Sequence, residues 1–411
     1  MSKKLFENLR ILGPGFVVAA TGVGAGDMIA AAVSGAKYGT IILWSAVFGA
    51  AIKLILNEGI ARWQLATGTT MLEGWVGRFN PLIPAYFIIY LVLWSFIVAA
   101  ALISACGLAA HAIFAGLSVK SWGILHSIAA VLLVYFGRYA VLERMMKVFI
   151  ALMFIVVLLC AFLVTPDWLS ILRSISFPRV PTGSGKFILG VIGGVGGTVT
   201  LLSYGYWIRE KQWIGKEFRK LTHLDLGAAY CLTGLFGVAI MIIAAGVNPN
   251  VVTGGKMVLE VASQLEKIVG STGKWVFLIG FWGAVFSSML GVWQGVPYLF
   301  TDFVITLKHK NERIGRKSVD TSSFYYKAYL LYLGFPPMLL LLFDKPVWIV
   351  IIYSIAGALF MPFLAGTLLF MNNKRAWVRE SKNGWLINLL LLISLGLFGY
   401  LCLTEITNLT R

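Results

Sequence analysis

Charged side chains are scarce in this chain: they make up 12% of its 411 residues, about half the share found in an ordinary soluble domain. Metal-ligating and nucleophilic types are scarcer still, with four His and four Cys. Cys106, Cys160, Cys231 and Cys402 stand singly inside apolar runs, which excludes a disulfide framework or a thiolate cluster and leaves them as small packing residues. His111, His126, His223 and His309 include no pair four residues apart, so a helical His–His metal centre is excluded. No Ser/His/Asp set, zinc signature or phosphate loop is present, and neither enzymatic activity nor a resident cofactor is expected. The net charge of +17 comes from basic residues that interrupt apolar runs without forming a basic, aromatic-interleaved face, so nucleic acid is not an expected partner.

Apolar residues fill that space. They reach 59%, more than a water-soluble core can hide, in runs of 18 or more residues that each suffice to cross a hydrocarbon layer of about 30 Å as a helix. The chain therefore reads as an all-α polytopic membrane protein, a single transmembrane unit over residues 1–411 whose surroundings are the lipid bilayer of the cell membrane. MSKK followed by Leu5 to Ala20 imitates a secretory signal, but the apolar stretch continues to Ala36, so it is expected to be a retained first helix. Eleven spans are expected, centred near Val23, Ala50, Val98, Ala130, Phe154, Thr198, Phe236, Phe286, Pro336, Ala358 and Leu392. A cytoplasmic N-terminus puts more than twice as many Lys and Arg on the cytoplasmic side as outside, which predicts that orientation and an extracytoplasmic C-terminus.

Two spans carry breaks. GVGAGD (Gly22 to Asp27) interrupts the first and GGVGGT (Gly193 to Thr198) the sixth. Each glycine lowers helix stability by about 1 kcal/mol relative to alanine, so unwinding there is cheap. The broken spans open two five-span halves, residues 11–165 and 186–372. An odd number of spans gives the halves opposite topology, with 384–404 as an additional helix. Matching interruptions in two inverted halves point to a substrate site at mid-membrane, worked by alternating access. Gly24, Asp27, Gly197, Thr200 and Ser203 are the candidate binding residues, with Asp27 and Thr200 as candidate metal ligands. An ionised carboxylate near the bilayer centre costs about 2.5 to 3.5 kcal/mol, so Asp27 is expected to bind a cation or carry a proton, the alternative being an N-cap of the half-helix Met28 to Lys37. The glycine-rich break also offers free N–H groups at half-helix N-termini, which attract an anion or small organic acid; Asp27 would then hold a coupling Na⁺ or H⁺.

Further polar residues have two readings each. Lys53, within the second span, is expected to snorkel to the cytoplasmic side, the alternative being that it neutralises Asp27 or senses substrate charge. Ser287 and Gln294, with Ser288, either line the pathway or bond neighbouring helices. Glu58 and Arg62 are expected to form a solvated interfacial pair, and Asp225 and Asp302 to sit near the inner boundary, where a charge costs little. Met257 to Val269 has the spacing of an amphipathic helix lying on the outer face. The sequence leaves the oligomeric state open, and a monomer is compatible with it.

With these residues in view, the chain resembles the NRAMP family of divalent-metal transporters. The likeness runs through ILGPGFVVAATG (Ile11 to Gly22), ARWQLATGTTMLEGW (Ala61 to Trp75), GAVFSSMLGVWQG (Gly283 to Gly295) and IAGALFMPFLAGTLLF (Ile355 to Phe370). It implies a leucine-transporter-type fold, two inverted five-helix repeats plus an eleventh helix, and transport of a divalent cation bound between the first and sixth helices. The departures fall on the chemistry. Where the family carries Asp-Pro-Gly-Asn, this chain has Gly24-Ala25-Gly26-Asp27, and where it carries Met-Pro-His-Asn, this chain has Thr200-Leu201-Leu202-Ser203. The soft thioether and the histidine are gone, and the third span has no acidic residue. The resemblance therefore implies a hard or partly hydrated cation, Mg²⁺-like or Mn²⁺-like.

Overall fold

The computed structural model describes residue 15 and residues 26–136, 148, 151, 154–164, 167–194, 197–247, 257–308 and 319–409. Every regular element among them is a helix. Trp44–Thr67, Leu82–Ile113, Val119–Phe136, Gly185–Glu210, Lys216–Ala244, Val269–Lys308, Phe324–Phe343 and Val347–Met371 are each long and apolar enough to cross a membrane; they are the expected spans two to four and six to ten. Phe154–Leu163 turns by 115° into Trp168–Ser176, and Arg375–Ser381 turns by 120° into the eleventh helix, so up to ten spans are counted among the described residues. Of the first expected span, Gly26–Tyr38 is described as helix.

The outer surface of the bundle is apolar, with Leu82, Ile89, Leu93, Phe136, Phe162 and Leu392 all exposed. Water would penalise such a surface, whereas lipid tails do not, and the chain is a multi-pass membrane protein. Because lipid supplies no hydrophobic drive between helices, close backbone packing has to hold them together. A Cβ on Gly107 would lie 2.1 Å from the Val119 carbonyl, and one on Gly123 2.6 Å from the Ile103 carbonyl, so the third and fourth spans touch backbone to backbone. The same device joins the first and seventh spans, where a Cβ on Gly35 would lie 2.4 Å from the Met241 carbonyl. Tyrosine hydroxyls brace the third span: Tyr90 donates to the Ala356 carbonyl at 2.8 Å and Tyr332 to the Val92 carbonyl at 2.9 Å.

Three features go beyond the sequence reading. The tenth span is itself divided, into Pro346–Ala358 and Phe360–Met371. The ninth tightens from an α-helix, Phe324–Gly334, to a 3₁₀ segment, Pro336–Phe343, where two prolines withhold backbone donors. Met257 to Val269 is helical up to Gly270, whose φ of 81° suits only glycine and redirects the chain into the eighth span. Val258, Val261, Ala262 and Leu265 form its buried face, as the amphipathic spacing predicts.

Candidate functional site

The sixth span builds its break from local chemistry. Its first half, Gly185–Gly194, is α-helical; Gly197 has φ 83°, and Thr198 leaves both the helical and extended regions at φ −131° and ψ −104°. Val199–Leu202 then forms a 3₁₀ turn, and Ser203–Glu210 resumes the α-helix. Such a break releases carbonyls at the end of the first half-helix, which need donors or a cation. Lys53 supplies one. Its Nζ donates to the Gly193 carbonyl at 2.6 Å and also to the Gly197 carbonyl, and the residue is 0% exposed. The snorkelling expectation is thus overturned: buried free carbonyls attract the ammonium more than the distant interface does.

Other polar atoms gather about this point. Asn57, one helical turn beyond Lys53, donates to the Tyr230 hydroxyl at 2.9 Å. Its Oδ1, together with Thr198 Oγ1 and Ser203 Oγ, is buried without a hydrogen-bond partner among the described residues. Thr200 is also buried. The tenth span closes the site from the other side: a Cβ on Gly193 would lie 2.7 Å from the Ser354 carbonyl, and one on Gly357 2.3 Å from the Thr198 methyl. The division of the tenth span thus lies beside the sixth-span break.

The first span approaches the same place. Gly26–Ala30 is a wide π-type turn leading into Ala31–Tyr38, and Ala30 Cβ would lie 3.8 Å from a Cβ on Gly190 of the sixth span. Such turns recur at functional sites. Asp27 lies within this turn. Gly24 and the Asp27 side chain lie outside the described residues. Among the described residues, no three His, Cys, Asp or Glu side chains gather in a metal-ligating group.

On the Ser203–Glu210 side of the break lies a polar network that sequence reasoning missed. Tyr204 donates to Asp225 Oδ2 at 3.0 Å, and the Gly15 backbone N–H to the same oxygen at 2.6 Å. Tyr206 donates to Asp302 Oδ2 at 2.6 Å, and Thr70 to it at 3.0 Å. Arg209 pairs with Glu73 at 2.7 Å, and Tyr298 donates to Glu210 at 2.6 Å. Asp225 and Asp302 are each only 2% exposed, so the expectation of cheap boundary charges fails; tyrosine hydroxyls take the place of water. Glu58 and Arg62 likewise form a buried pair at 2.5 Å, joined by His223 at 3.0 Å and by an Arg62 bond to the Lys382 carbonyl, instead of a solvated one. One signal was readable: Thr70-Met71-Leu72-Glu73 is a capping box, and it starts the short helix Met71–Arg78 that carries Glu73 to Arg209.

A pocket of about 230 Å³ opens within this network, lined by Tyr206, Trp207, Glu210, Gln294, Gly295 and Tyr298. A Cβ on Gly295 would lie 2.9 Å from Ser203 Oγ, so the pocket reaches towards the broken sixth span. Gln294 faces it. Ser287 does not: it is fully buried and donates to the Ala284 carbonyl of its own helix at 2.8 Å.

The sequence model of the natural resistance-associated macrophage protein-like family (Nramp) matches residues 15–407. No curated protein sequence matches the chain. A mutant of the Eremococcus coleocola manganese transporter superposes with a TM-score of 0.76 at 13% identity, covering 99% of this chain and 88% of that one. The same transporter in complex with an aromatic bis-isothiourea substituted compound gives 0.74 at 13% identity, with the same coverage. MhsT in complex with L-phenylalanine gives 0.60 at 16% identity, covering 95% of this chain and 97% of that one. These structural likenesses establish the leucine-transporter-type fold, two inverted five-helix repeats with an additional helix.

Proposed function

The chain belongs to the natural resistance-associated macrophage protein-like family, and from that premise we propose that it carries a divalent metal cation across the membrane by alternating access, binding the ion between its broken first and sixth spans. The observation that carries this reading is the pair of carbonyls, Gly193 and Gly197, that already accept hydrogen bonds from a buried ammonium. That end of a half-helix is the negative end of its dipole and favours a cation over an anion. The manganese transporter with the same fold supports a divalent ion as the cargo.

Asp27 is assigned as the charged ligand, with Gly24 and Gly197 offering carbonyls and Thr200 and Ser203 hydroxyls. These are hard oxygen donors, suited to Mg²⁺ or Mn²⁺ that keeps part of its water. Gln294, which lines the pocket beside Ser203–Glu210, is assigned to the pathway. Alternating access would follow from rocking one helix bundle about the site, within the repeats at 11–165 and 186–372 and with 384–404 outside them. The excess of Lys and Arg in alternate loops supports a cytoplasmic N-terminus and an extracytoplasmic C-terminus.

Flux into proteoliposomes tests the reading, comparing Mg²⁺ and Mn²⁺ with candidate anions and amino acids, each with and without a proton or sodium gradient. Saturable divalent uptake that Asp27→Ala abolishes is the expected result. Divalent uptake unchanged in Asp27→Ala refutes the assigned site, and saturable anion uptake without cation flux refutes the cargo.

A further inference from the structure

We infer that Lys53 is a tethered cation: its ammonium occupies the sixth-span carbonyl site when cargo is absent, must leave before cargo uses those carbonyls, and so sets which cations the carrier accepts and how tightly. This rests on the proposed cation site and adds a residue that the family motifs do not contain.

The placement is specific. Gly193 is the penultimate residue of the first half of the sixth span and Gly197 lies in the break, so Lys53 Nζ caps the point where helical hydrogen bonding stops, from 140 residues away in sequence. Its neighbours on the helix, Ala50, Ile52 and Leu56, are all buried, and that helix approaches the sixth span closely. A Cβ on Gly49 would lie 3.0 Å from the Ile192 Cα, which leaves no layer of water between the two helices there. An ammonium brought this near is held by the carbonyls and not by solvent.

The same oxygens cannot serve two cations at once. A metal ion coordinates carbonyl oxygen at about 2.0 to 2.6 Å, which is the space that Nζ fills. Two positive charges so close, in a buried site with little screening, repel strongly. The lysine stem has four rotatable carbons and can withdraw its head without moving the backbone. Asn57 lies one turn beyond Lys53 on the same helix and Thr198 follows Gly197, and Asn57 Oδ1 and Thr198 Oγ1 are both buried without a hydrogen-bond partner among the described residues. Unpaired buried oxygens are costly in a resting protein and suit a cation that arrives later.

The test uses the full-length protein in nanodiscs, with Mn²⁺ as the probe followed by electron paramagnetic resonance and Mg²⁺ as competitor. Lys53→Met removes the charge and keeps the length. Lys53→Gln removes the charge but keeps a donor for one carbonyl, so it remains informative if Lys53→Met does not fold. Lys53→Arg keeps the charge. Expected is a fall of at least about tenfold in the Mn²⁺ concentration needed for half-saturation in the two neutral variants, a coupling of ordinary size for linked sites, with Lys53→Arg remaining weak. Half-saturation indistinguishable from wild type in both neutral variants, or no Mn²⁺ binding by any form, overturns the inference. Proteoliposome flux separates the two ideas. Wild-type divalent flux with unmoved binding in Lys53→Gln refutes the tethered cation and leaves the transport reading intact. Absent divalent flux in the wild type, with tighter Mn²⁺ binding in Lys53→Gln, does the reverse.

Discussion

Breaking the Glu73–Arg209 pair should destabilise the protein unequally from its two ends. The pair is 2.7 Å long and its side chains are only 15% (Arg209) and 13% (Glu73) exposed, so it lies well inside the protein. Opposite charges about 4 Å apart attract by about 4 kcal/mol at an effective dielectric constant near 20, before desolvation is subtracted. Removing one member of a buried pair costs about 3 to 5 kcal/mol, because the other is left uncompensated. Here the neighbours break the symmetry. Arg209 also attracts the Asp302 carboxylate, and Asp302 repels Glu73. Arg209→Met therefore leaves two buried carboxylates facing each other, whereas Glu73→Gln leaves Arg209 with Asp302 and keeps an acceptor for the Thr70 N–H. Arg209→Met is expected near the top of that range and Glu73→Gln below its bottom, with the double variant costing less than the sum by about 1 to 3 kcal/mol. Denaturant-driven unfolding in mixed micelles measures all three. Additivity of the two single effects, or a larger cost for Glu73→Gln than for Arg209→Met, would refute the reasoning.

Two other outcomes follow from the same geometry. Tyr206→Phe removes the shorter of the two bonds to Asp302 Oδ2 and leaves only Thr70, so unfolding should become easier by about 1.5 to 3 kcal/mol, while Tyr298→Phe, whose partner Glu210 lies at the open pocket, should cost less. Gly193→Ala places a Cβ 2.7 Å from the Ser354 carbonyl and should force the sixth and tenth spans apart; divalent flux is expected to fall steeply, whereas Gly366→Ala, with open space around its Cβ position, should transport as wild type. Equal flux in the two glycine variants would refute that packing argument.

Much of the architecture was readable because its signals are one-dimensional. Apolar runs against a membrane of fixed thickness located the spans, and a glycine cluster located the sixth-span break, since backbone cost depends on residue type alone. The bend after the fifth span, the divided tenth span and the buried Asp225 and Asp302 were not readable. The two aspartates depend on partners supplied by another element, the hydroxyls of Tyr204 and Tyr206.

Lys53 marks the boundary between the two kinds of knowledge. Its sequence position placed a charge inside a span, and the flexible stem made escape to the interface the natural expectation. Only the tertiary structure decided otherwise, by bringing the unwound end of the sixth span against the second, where Gly193 and Gly197 offer carbonyls that nothing within their own helix can satisfy. The sequence by itself determined that the helix would break there, because glycine spacing is a local property. What fills the break depends on which side chain the fold carries to it, because an orphaned backbone group in a membrane takes its partner from whatever is near in space.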